Sequence, residues 1–232
     1  GRAFCGGDND ETARAGSARH GVLVTPGNWV RQFRAAASTF DWSALHELAA
    51  EYAADLYAVQ DLRSDVGQVL QVLRQSLRYE DLELVADAAL AHRPDAPVVR
   101  RLYAQALVDG ANPAVALQLY SDLAADETVP PGDRVEARGG IGRCYKEMFL
   151  LCTEPGRRRH YFARSLDAYL SVYHEDEDRN TWHGINAVAL LARAGREGVE
   201  LAPGAPTPTV LAERILQTVD VDPTPGPWTE VT

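Results

Sequence analysis

Cysteine is scarce in this chain, basic residues are outnumbered, and long apolar runs are missing. Cys5, Cys144 and Cys152 are odd in number and fit neither a disulfide framework nor a zinc-ligand spacing, so they read as the reduced thiols of a cytosolic protein. No stretch approaches the roughly 18 apolar residues of a membrane span. The first twenty residues, polar and Gly-rich, hold no apolar signal-peptide core. With 23 Lys and Arg against 33 Asp and Glu, the net charge is -10, which excludes a general nucleic-acid binder: phosphate neutralisation needs a basic surface. Period-2 alternation and β-branched runs are nearly absent too, leaving an all-α chain.

Catalytic signatures are also missing. There is no nucleophile motif, no paired His and carboxylate at a useful spacing and no cofactor fingerprint, so no cofactor or metal is expected. Gly139-Gly140-Ile141-Gly142 lacks the strand and the GK[ST] ending of a phosphate loop and reads as close helix packing. His174-Glu175-Asp176-Glu177-Asp178 reads as a solvated acidic turn, because contiguous loop side chains do not converge on a metal. Cys144 reads as a core thiol.

What the chain does have is a succession of amphipathic helix patterns. Trp29 and Phe33 mark a short helix, and Asp41 can cap the next, with Leu45, Leu48, Tyr52 and Leu56 on one face. Val66, Val69, Leu70 and Leu73 form a third stripe, and Leu82, Ala86 and Ala89 a fourth. Pro97, Pro113 and Pro208 each sit where a first helical turn accepts proline. Trp29, Trp42 and Trp182 read as core anchors, and Trp228 as exposed in a Pro-rich tail. The bias to Ala, Arg, Leu and Val over Lys and Ile is that of a GC-rich genome, such as an actinobacterial one.

A spacing recurs within these helices. Leu70 and Ala104 lie 34 residues apart, the period of a tetratricopeptide repeat; Gly142 and Asn186 follow after 38 and 44. One repeat fits as Tyr103, Ala104 and Leu107, then Ala116, Tyr120 and Leu123. The one before fits as Val69, Leu70 and Leu73, then Leu82, Ala86, Ala89 and Pro94. The third has Ile141, Gly142 and Tyr145 with a delayed Ser165, Tyr169 and Val172. The last has Trp182, Ile185, Asn186 and Ala189, with a second helix around Ala212 and Leu216. The delays predict loop insertions near Leu151–Arg159 and Gly195–Pro208, along an edge that partners can engage.

The expected architecture is a right-handed solenoid of tetratricopeptide-like helix pairs. Residues 1–25 form an extension read as flexible, 26–60 a leading helical pair, 61–221 the array and 222–232 a Pro-rich tail. The start at Gly1 reads as the cut end of a longer protein. Counting from each small-residue position, the groove candidates are Arg74, Arg101, Gln105, Arg143, Lys146, Asn180 and His183, and Arg157, Arg158 and Arg159 form a second basic patch. A basic groove in an acidic body favours a protein or peptide partner of acidic character, through charge-assisted hydrogen bonds.

The strings GRCYKEMFL, ARSLDAYLSVY and WHGINAVALLARAG, starting at Gly142, resemble the central tetratricopeptide region of apoptosis signal-regulating kinases, also called the TRAF-binding domain and found in bacterial proteins. The resemblance covers residues 60–220 and implies a regulatory hub that binds partner proteins beside a fused or co-encoded effector domain. It implies no kinase, since kinase motifs are absent here. The resulting expectation is a non-catalytic interaction and regulatory module. A ligand sensor gating an effector is the first alternative. An all-helical enzyme using Glu147, Asp167 or His183 is the second.

Overall fold

The computed structural model describes residues 28–58, 64–201 and 204–221, so the expected extension at 1–25 and tail at 222–232 lie outside the described residues. Among the described residues all regular structure is helical: α1 (Trp29–Ser38), α2 (Trp42–Ala58), α3 (Val66–Gln75), α4 (Tyr79–His92), α5 (Pro97–Asp109), α6 (Pro113–Ala125), α7 (Pro131–Leu151), α8 (Pro155–Glu175), α9 (Thr181–Arg196) and α10 (Pro208–Val221). The stripes read from the sequence are the buried faces. Leu45, Tyr52, Val69, Leu70, Leu73, Leu82 and Ala86 are sealed from solvent. Burying such side chains stabilises the fold by about 1.5–3 kcal/mol each.

Consecutive helices pair and the pairs stack in chain order. Within pairs α1 packs on α2, α3 on α4, α5 on α6, α7 on α8 and α9 on α10. At the first joint α2 packs on α4, and at the later ones the second helix of one pair meets the first helix of the next: α4 on α5, α6 on α7, α8 on α9. The first helices also touch shoulder to shoulder, α1 with α3, α3 with α5 and α5 with α7, and form the row that corresponds to the inner helices of a tetratricopeptide solenoid.

The turn inside the pair repeats in four of the five pairs, all but α7–α8. Phe40, Leu77, Ala111 and Gly198 all have left-handed φ, at 55°, 57°, 64° and 65°. In each case the next amide reaches back five residues: Asp41 to Ala36, Arg78 to Leu73, Asn112 to Leu107 and Val199 to Ala194. This is the Schellman closure of a helix C-terminus. The leading pair α1–α2 therefore ends its first helix with the same device as the repeats. Asp41 caps α2 as expected, Oδ1 accepting from the Ala44 amide at 3.0 Å.

Three expectations change. The insertion around Leu151–Arg159 is not an edge loop. It lengthens α7 and α8 to 21 residues each, and the chain reverses over Cys152–Glu154. Glu154 caps α8, accepting from the Gly156 and Arg157 amides at 2.7 and 2.6 Å, and those bonds hold its carboxyl below the usual carboxylate range. Trp42 is not a core anchor: it is 41% exposed and meets Phe40 edge to face on the surface. The last pair is also in a different register. Ile185 and Leu216 are exposed, whereas His183, Gly184, Ala187, Leu190, Leu191, Leu211 and Ile215 are buried. The physical reason is Gly184, where an added Cβ would stand 2.8 Å from both Ile215 and Tyr173. The close helix contact sits there and not at Asn186.

Candidate functional site: the inner row of helices

α3, α5, α7 and α9 carry most of the sequence-derived groove residues. Arg74 Nε donates to Asp109 Oδ2 at 3.0 Å, and Arg143 donates to the other oxygen of the same carboxylate. Burial opposes the Arg143 charge, but Asp109 outweighs it and raises the pKa. Lys146 Nζ donates to Asn186 Oδ1 at 2.9 Å, and Asn186 in turn donates to the Trp182 carbonyl at 2.9 Å. Burial pulls the Lys146 pKa down. A ladder of side chains thus crosses four pairs, Arg74–Asp109–Arg143 and then Lys146–Asn186. Arg101 sits nearby with Nη1 2.8 Å from Glu136 Oε2 and Nε 3.4 Å from Asp133 Oδ1. Gln105 is half-buried on α5.

Asn180 and His183 do not extend this ladder. Asn180 Nδ2 donates to the Val172 carbonyl at 2.7 Å, tying the start of α9 to α8. His183 is 6% exposed and wedged against Gly139, where a Cβ would lie 2.4 Å from Nε2. Burial pushes its pKa down to about 4, and neither ring nitrogen has a hydrogen-bond partner. The counting that placed both in the groove started from Asn186, which the Gly184 contact displaces.

Arg157, Arg158 and Arg159 form the first turn of α8 instead of a loop. Arg157 and Arg159 are exposed. Arg158 folds back over the Phe149 ring at 4.5 Å and binds Glu197, fastening α8 to the end of α9. Of the residues named for an enzyme, His183 is buried, Asp167 is exposed on α8 and Glu147 is half-buried on α7. No hydrogen bond or ion pair joins them among the described residues. Among the same residues no three His, Cys, Asp or Glu gather as a metal site. Cys144 is sealed in the core, and burial raises its thiol to about 12.

The open volume on the inner row lies nearer the N-terminal end. A cleft of about 680 Å³ opens between α1, α3 and α5, lined by Arg34, Gln68, Gln71, Gln75 and Arg101, with Val98 and Leu102 as its apolar part. No Asp or Glu lines it. Arg34 is exposed and has no carboxylate partner among the described residues. Gln68, Gln71 and Gln75 were overlooked in the sequence, although their spacing of three and four puts them on one face of a helix.

Charge is sorted by layer. The inner helices α1, α3, α5, α7 and α9 carry eleven Lys and Arg against four Asp and Glu. Their partners α2, α4, α6, α8 and α10 carry five against twelve. Basic charge is thus concentrated on the first helix of each pair and acidic charge on the second.

Comparison with curated proteins returns no match, and neither does comparison with solved structures. Residues 78–191, from the end of the α3–α4 turn to the middle of α9, match the family described as Tetratricopeptide Repeats-Sensor. The stacked helix pairs, the repeated turn and this match together make the chain the carrier of a tetratricopeptide-like helical-repeat domain.

Proposed function

We propose that this chain is a non-catalytic interaction module whose inner row binds an acidic, extended segment of a partner protein. The observation that carries the reading is the sorting of charge, basic helices inward on a chain of net charge -10. The cleft between α1, α3 and α5 is the entry point: Arg34 offers a guanidinium fork to a carboxylate and the three glutamines offer amides to a peptide backbone, while Arg101, already held by Glu136 and Asp133, reaches a ligand only by exchange. Arg74, Arg143 and Lys146 reach such a ligand only by exchanging Asp109 and Asn186 for it, which makes them a second, deeper set. The resemblance to the regulatory region of apoptosis signal-regulating kinases supports the same role beside an effector domain. The family description supports a sensor variant of it, in which occupancy of this cleft is what the effector reads.

The test is fluorescence anisotropy with a labelled Asp/Glu-rich peptide and its Asn/Gln counterpart of equal length. Tighter binding of the acidic peptide is expected, with Arg34→Glu weakening it about tenfold, the loss of one charge-assisted contact. Arg34 is the residue to change because it holds no carboxylate partner among the described residues, so its reversal leaves the fold intact. Equal binding of both peptides, or an unaffected Arg34→Glu, overturns the reading.

A further inference from the structure

On the opposite side of the first two pairs, α2 and α4 hold a group the inner row does not use. His46 is 65% exposed, yet its Nδ1 lies 2.6 Å from Oδ1 of Asp81, whose side chain is 2% exposed. The other Asp81 oxygen accepts from Arg78 Nε at 2.7 Å. A buried carboxylate so bound on both oxygens fixes the imidazole: Nδ1 carries the proton toward Asp81, and the Nε2 lone pair is left unpaired toward solvent. Among the other described histidines only His174 has a comparable set, and its carboxylate is partly exposed where Asp81 is buried. His174 faces Glu177 at 3.1 Å from its own helix end, and that carboxylate is shared with Arg214. His92 and His160 are exposed with no carboxylate, and His183 is buried.

An exposed imidazole oriented by a buried carboxylate, itself anchored by an arginine, has the parts of a phosphoryl acceptor. We propose that His46 Nε2 is a phosphorylation site, taking a phosphoryl group from a phosphoramidate or acyl-phosphate donor. The Nε2 lone pair attacks phosphorus, the donor's P–N or P–O bond breaks, and its electron pair leaves with ammonia or the carboxylate. Nδ1 keeps its proton, and the positive charge of the ring is met by Asp81, which Arg78 holds in place. The modification puts new negative charge on the outer layer and is independent of what the cleft binds.

The whole chain is incubated with phosphoramidate, and labelled histidines are mapped by peptide mass spectrometry, with ³¹P NMR to tell Nε2 from Nδ1. Expected is acid-labile label at His46 Nε2, appearing at least about tenfold faster than at His92, His160 or His174. Asp81→Asn slows His46 by a further factor of about 10–100, as loss of an orienting carboxylate does, and leaves the other histidines unchanged. Labelling spread evenly over the exposed histidines overturns the proposal, as does a folded Asp81→Asn chain that labels His46 at the wild-type rate. The selectivity within the wild-type chain decides the matter even where Asp81→Asn does not fold.

Discussion

Gly139, Gly140 and Gly142 on α7, with Gly184 on α9, show how much a single missing Cβ positions. At Gly140 an added Cβ would stand 2.5 Å from the Tyr120 ring, which is itself buried and unable to step aside. Gly140→Ala is expected to cost about 1–3 kcal/mol, as overpacking does. Gly195, also helical, has nothing within 4 Å of a built Cβ, and Gly195→Ala is expected to stabilise by up to about 1 kcal/mol. Urea denaturation of the two variants separates packing from backbone entropy. His183 gives a pH signature at the same scale. Its folded pKa of about 4 lies below the ordinary 6.5, so the unfolded chain takes up the proton first. Stability is therefore full above pH 6.5 and falls as the pH drops from 6.5 toward 4, by no more than about 3 kcal/mol from this residue. His183→Leu should flatten that part of the stability curve against pH, measured by denaturant midpoints at each pH. The glycine run was legible as close packing, because no other account fits Gly-Gly-x-Gly inside a helix. The burial of His183 was not, since its neighbour Gly139 lies 44 residues away in the chain.

Between elements, the repeated left-handed turn is the feature the residues conceal. Phe40, Leu77 and Ala111 occupy conformations that favour glycine, and none of the three is glycine or asparagine. Leu77 is 70% exposed, so replacing it loses little burial. Leu77→Gly should raise stability by up to about 1 kcal/mol, the relief of about 1–2 kcal/mol of left-handed strain less the entropy glycine regains on unfolding. A thermal melt checks the sign. Asp109 is the corresponding hinge of the ladder, holding Arg74 of α3 and Arg143 of α7 to α5. Asp109→Asn should cost about 1–3 kcal/mol, more than either arginine changed to methionine, because it leaves two half-buried guanidiniums facing each other. Helix existence and the proline starts were plain from pattern. The length of α7 and α8 was not: a delay in the repeat is equally a loop or two extra turns, and only the Glu154 cap and the Arg158 contacts select the latter.

For the whole molecule, the sorted charge predicts that affinity for an acidic peptide falls steeply with salt while the fold does not. Raising the ionic strength from about 0.05 to 0.5 M shortens the screening length several-fold, so anisotropy titrations should lose affinity while the circular-dichroism melt moves little. The all-α class and the pairing of helices were determined by the sequence by itself, through periodicity: side chains one turn apart share a face whatever lies opposite. Which face of α9 turns inward, whether a basic residue is free or already held, and that His46 meets a buried carboxylate were decided by the tertiary structure alone. Those are facts about neighbours 11 to 44 residues distant on other helices, and no local pattern encodes the atom that will stand across a helix interface.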